Sequence, residues 1–172
     1  MNKRGFTLIE LLAVIVIIGL VLVIAIPTSI NAYKQTKLKA EEGFINRLSE
    51  SIDSYVSLNT IDNNISFRII EGTFQKPEES TTVTVSEGTI SFNDIFGANI
   101  IDKSDFVNPN TKIKCDINSA IKVYKDSDFV YCHKITKDSA LYNCLSDDYK
   151  LKHQDDEYIV DTCVWTILKE GE

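Results

Sequence analysis

From Leu11 to Ile26 no side chain is polar. As a helix, the stretch from Phe6 to Ile26 would be about 32 Å long, against about 30 Å of bilayer hydrocarbon. A run that is apolar all round needs lipid or other apolar helices around it, and no water-exposed position suits it. One residue breaks the pattern. Glu10 stands near the start of the run, and an ionised carboxylate in hydrocarbon costs several kcal/mol unless it finds a partner. The helix is expected to offer it no neighbour, so its partner is looked for elsewhere.

A secretory signal peptide does not account for this segment. The basic region is only Asn2-Lys3-Arg4, the apolar run exceeds a usual signal core, and no small-residue cleavage site follows it. A signal-anchored transmembrane helix fits the length. Its orientation is ambiguous, because Lys3 and Arg4 lie on one side and Lys34, Lys37 and Lys39 on the other.

The stretch Lys3-Arg4-Gly5-Phe6-Thr7-Leu8-Ile9-Glu10-Leu11-Leu12 closely resembles the class III signal of type IV pilins and pseudopilins. The resemblance covers Lys3 to Pro27 and is architectural beyond it. It implies cleavage by a prepilin peptidase after Gly5, methylation of the new amino terminus at Phe6, and retention of the anchor. It implies that Phe6, Thr7 and Glu10 serve assembly, with Glu10 paired to the terminal amine of a neighbouring subunit. Two buried opposite charges offset part of each other's desolvation, whereas removing one strands the other. The simpler alternative pairs Glu10 with its own amine one turn away. Gly19 weakens the helix and Pro27 removes a backbone donor, so the resemblance also implies a segment able to kink or melt between them.

Past Pro27 the apolar positions Ile30, Tyr33, Phe44, Ile45, Leu48, Ile52, Tyr55 and Val56 recur at three- and four-residue spacing, which predicts an amphipathic helix to Leu58. The intervening charges, Glu41, Glu42, Arg47 and Glu50 among them, read as its solvated face. Four segments are thus expected: a leader at 1–5, a membrane or filament-core helix at 6–27, an amphipathic helix at 28–58, and a β-rich head at 59–172. Strands are expected over Ser66–Ile70, Thr81–Ser86, Thr89–Phe92, Lys112–Ile117, Ala120–Tyr124, Phe129–Ile135, Tyr142–Leu145 and Tyr158–Leu168, with a turn at Glu87-Gly88 and a hairpin loop at Lys125–Asp128. The fold class is α+β: a long N-terminal helix packed against an antiparallel sheet, as in type IV pilins.

Cys115, Cys132, Cys144 and Cys163 lack metal-ligand spacing and read first as disulfides, with free thiols and a metal as the alternatives. Sequence alone allows three pairings. A hairpin centred on Asp126 and Ser127 sets Cys132 opposite Ile121 and favours Cys115–Cys132 with Cys144–Cys163. The acidic clusters Asp147-Asp148 and Asp155-Asp156-Glu157 read as solvated loop rather than a calcium site, since no EF-hand spacing is present.

No nucleotide-binding loop or nucleophile motif is found, His133 and His153 sit in no metal motif, and neither an enzyme nor a cofactor is predicted. The net charge of −7, deepening if Lys3 and Arg4 are cleaved off, disfavours nucleic acid as a bulk-charge partner. The resemblance implies a homo-oligomeric or co-pilin filament as the end state. Its implied partners are the membrane, prepilin peptidase, an assembly ATPase and a platform protein. The protein would sit first in the cytoplasmic membrane as a single-pass precursor and then on the surface. A pilus subunit for adhesion or twitching motility leads. A pseudopilin of type II secretion, a competence pilin, and an uncleaved single-pass membrane protein with an extracellular binding domain are the alternatives.

Overall fold

The structure is a computed structural model that describes residues 7–59, 65–70, 73–76, 82–127 and 130–168. It divides into two compact units, Met1–Lys39 and Ala40–Glu172. Helix α1, Leu8–Asn59, contributes to both.

Within the first unit the described side chains of α1 are almost all exposed, from Leu8 at 83% through Val23 at 73%. Gly19 and Pro27 both lie inside α1.

Within the second unit the three- and four-residue spacing is realised: Phe44, Ile45, Leu48, Ile52 and Val56 are buried. They face a five-stranded antiparallel sheet of order β1-β4-β5-β6-β7, made of Arg68–Ile69, Val85–Ser91, Ala120–Asp126, Tyr131–Thr136 and Tyr158–Asp161 in that order. Alternation along the strands separates two faces. Ile90, Ile121, Val123, His133 and Ile135 are buried on the helix side. Tyr124, Cys132 and Val85 face the other way, where they meet Phe74, Val83 and Trp165. Those three come from or adjoin a second sheet of order β3-β2-β8, comprising Thr82–Val83, Thr73–Gln75 and Thr166–Leu168. Trp165 stands edge-on to both Phe74 and Tyr124, at 5.1 and 5.4 Å between centroids. The head therefore has two cores on one sheet, an α+β arrangement.

Several expected elements fall differently. The turn at Glu87-Gly88 is absent: both residues sit inside the continuous strand β4. Gly88 is small for another reason, because a Cβ there would lie 2.9 Å from Ile65 Cγ2 and 3.2 Å from the Ser66 carbonyl. It admits a crossing backbone rather than a turn. Phe92 begins helix α2, Phe92–Gly97, where the Asp94 carboxylate accepts from the Ser91 N–H and hydroxyl. This helix delivers Phe92 and Phe96 to the Phe106 ring, which also meets Phe44. Lys112–Ile117 forms no strand beyond a single bridge between Val107 and Lys114. Tyr142–Leu145 is replaced by a 3-10 turn over Ala140–Cys144, followed by helix α3, Asp147–Lys152. Tyr158–Leu168 breaks into β7 and β8, which serve different sheets. Asp128, in the expected hairpin loop, lies outside the described residues.

All four cysteines are bonded, as Cys115–Cys144 and Cys132–Cys163. The expected pairing, Cys115–Cys132 with Cys144–Cys163, is thereby corrected. Its premise was the hairpin register, and the strands extend further than the spacing indicated. Tyr124, not Ile121, opposes Cys132. That shift turns Cys132 to the face carrying Trp165, where the chain returning after β7 brings Cys163.

Candidate functional site

The segment with the strongest chemical pattern is the start of α1. Thr7 precedes the first helical residue, and Glu10 falls three positions later. The Glu10 carboxylate accepts from the Thr7 N–H at 2.8 Å and from its hydroxyl at 2.9 Å, while the Glu10 N–H points back to Thr7 Oγ1 at 3.4 Å. This is a capping box, which satisfies donors that a helix leaves open at its first turn. A negative group there also complements the positive end of the helix dipole. The expectation that the helix offers Glu10 no neighbour is corrected, since Thr7 is one. The Thr-x-x-Glu spacing was the overlooked signal. Gly5 and Phe6, the expected cleavage and methylation positions, lie outside the described residues. Among the described residues, which omit Phe6 and all before it, no helix is long and apolar enough to cross a membrane.

Two polar clusters inside the head were not read from the sequence. Glu41, expected on a solvated face, is fully buried. Its carboxylate accepts from the Ser146 N–H at 2.7 Å and the Asn110 amide at 3.0 Å, and from the Asn108 amide and the Ser146 hydroxyl. Asn108 in turn holds its own turn, accepting from the N–H groups of Asn110 and Thr111. Ser146 caps α3. One carboxylate thus ties α1 to two loops, with neutral donors balancing the buried charge. Nearby, burial pushes the Tyr149 hydroxyl up to about 12, with Glu41 and Glu42 adding to the effect.

The second cluster surrounds His133, which is 1% exposed. Its Nε2 lies 2.9 Å from Ser49 Oγ and its Nδ1 lies 2.9 Å from Asp53 Oδ1. Ser49 and Asp53 are one helical turn apart on α1, so both reach the same ring. Thr162 fixes the backbone of His133, accepting from its N–H at 2.8 Å and donating its own N–H to the His133 carbonyl at 3.1 Å. Burial holds the imidazole below its ordinary pKa, against the opposing pull of Asp53 and Asp161.

The acidic clusters are dispersed. Asp147 and Asp148 occupy the first turn of α3, where the helix dipole favours them. Asp156 bonds His153 Nδ1 at 2.6 Å. The four cysteines serve the two disulfides.

Residues 1–26 match the model of the prokaryotic N-terminal methylation motif. The segment that resembles the class III signal is thus the one that carries this motif. It is also similar to the ComG operon protein 3 homolog of Bacillus licheniformis, 40% identical over 55 residues. That match takes in 32% of this chain and spans 57% of the relative's length. No solved structure matches the chain significantly.

Proposed function

We propose that this protein is a structural subunit of a type IV pilin-like filament, cleaved after Gly5 and methylated at Phe6. The observation that carries the reading is the match of residues 1–26 to the methylation motif. The exposed apolar side chains of α1 from Leu8 to Val23 support it. Such a surface is unstable in water, at about 25 cal/mol per Å². Lipid covers it in the precursor, over the apolar length from Phe6 to Ile26, and neighbouring helices cover it after assembly.

Thr7 satisfies Glu10 within the subunit until the amine of a neighbouring Phe6 arrives. A buried carboxylate gains from such a partner and disfavours any register that leaves it alone. Assembly then involves the prepilin peptidase, an ATPase and a platform protein, and it carries the chain from the cytoplasmic membrane to the surface.

The particular filament is read in two ways. A pilus for adhesion and twitching motility is one. The likeness to the ComG operon protein 3 homolog favours the other, a competence pseudopilin. Deleting the gene separates them: loss of DNA uptake with attachment intact supports the competence reading, and the converse supports the pilus.

The test of the filament reading uses Glu10→Ala in the native cell. Sheared surface fractions of the wild type are expected to contain the protein in filaments. The variant is expected to be cleaved yet absent from that fraction. Filaments undiminished in the variant would overturn the role of Glu10.

A further inference from the structure

The Ser49, His133 and Asp53 side chains stand in the order and spacing of a nucleophile, its base and the group that orients the base. Asp53 as a carboxylate can only accept, so the 2.9 Å contact places the imidazole proton on Nδ1. Nε2 is then a bare acceptor, and the Ser49 hydroxyl donates to it across 2.9 Å. Thr162 locks the backbone of His133 on both sides, and the ring is buried, so water does not compete for Nε2. A cavity of about 420 Å³ lies beside them, and Ser49, Asn46, His153 and Thr162 are among the residues that line it. In the same cavity wall, His153 Nε2 has no hydrogen-bond partner among the described residues.

We propose that Ser49 is an activated serine, an acceptor of acyl groups from activated carboxylic esters that enter this cavity. The step is one transfer. Ser49 Oγ attacks the ester carbonyl as its proton passes to His133 Nε2. The bond from the carbonyl carbon to the leaving alkoxide breaks, and that oxygen takes the proton from Nε2. The products are acyl-Ser49 and an alcohol, with no redox change and neutral His133 restored. Asp53 is the positioning residue: it fixes the tautomer and steadies the transient imidazolium. Ser49 lies inside α1, where its own N–H bonds along the helix. That N–H is therefore not free to stabilise an oxyanion, as backbone donors do where turnover is rapid. The site accepts a group once.

The test treats the full chain in detergent with p-nitrophenyl acetate, follows p-nitrophenol release, and locates acetyl groups by mass spectrometry of peptides. One equivalent of acetyl on Ser49 is expected, absent in Ser49→Ala. Asp53→Asn, at an exposed position, tests activation separately from folding. Its acetylation at Ser49 is expected to be at least about tenfold slower, since the wrong tautomer then faces the serine. The wild-type rate should rise with pH and level off below the ordinary histidine pKa. No acetyl on Ser49 would overturn the proposal. Equal rates in wild type and Asp53→Asn would also overturn it, leaving the three residues as a structural hydrogen-bond chain.

Discussion

The Glu41 carboxylate and the Ser146 backbone N–H meet at 2.7 Å across 105 positions of sequence. Glu41→Ala would remove the shared acceptor of the buried Asn108 amide and of the half-buried Ser146 donors. Each unsatisfied buried group costs about 1–3 kcal/mol. The expected loss of head stability is about 3–5 kcal/mol, in the range for a broken buried network. Trp165, the sole tryptophan and a buried one, reports the transition by its fluorescence in urea. A loss under about 1 kcal/mol would mean that the loops hold without the carboxylate.

Neither Glu41 nor His133 could have been recognised beforehand, and the reason is the same for both. Periodicity assigns a residue to a face of a helix, but it does not tell which loop returns to that face. Glu41 flanks the apolar stripe, and only the turn at Asn108–Thr111 and the cap of α3 make its position interior. The helix, the β5–β6 hairpin and the methylation motif were legible because each is local. The strands were less so. Gly88 has the same composition cue whether it makes a turn or admits a crossing backbone, and the S-x-x-D cap of α2 was masked by the strand-like residues around it. The disulfide pairing failed through register, which the spacing of cysteines does not carry.

Acidification should weaken the head through His133. Its ordinary pKa is 6.5, and burial lowers it in the folded state despite Asp53 and Asp161. As pH falls through 6.5 the unfolded chain takes up a proton that the folded chain refuses, so stability declines with falling pH. The loss is complete only below the lowered folded value. Urea midpoints for wild type and His133→Gln, measured between pH 7.5 and 5, separate the effect of this imidazole from that of the carboxylates. The wild type should lose more stability over this window than the variant. Parallel curves would show that His133 does not titrate differently in the fold.

Gly88→Ala places a methyl group against Ile65 and the Ser66 carbonyl. Part of that contact is backbone, which yields less readily than a side chain. A destabilisation of about 1–3 kcal/mol is expected, typical of overpacking. If Gly88 instead made only a flexible turn, the alanine would be neutral.

The disulfides close loops with sequence separations of 29 and 31. A chain-entropy model gives each about 3.5 kcal/mol. Non-reduced peptide mapping should recover Cys115 linked to Cys144 and Cys132 linked to Cys163. Replacing Cys132 and Cys163 together by serine should lower the urea midpoint by a comparable energy. A recovered Cys115–Cys132 peptide would contradict the register of β5 on β6.

The central claim is that the chain is processed at its amino terminus and then assembled. Intact-mass and terminal-peptide spectrometry of the protein from its native cell tests that claim most directly. The account predicts a mature chain that begins at Phe6 and carries a methyl group on its amine. A chain that still begins at Met1 would contradict it, and would leave an uncleaved membrane anchor as the better description.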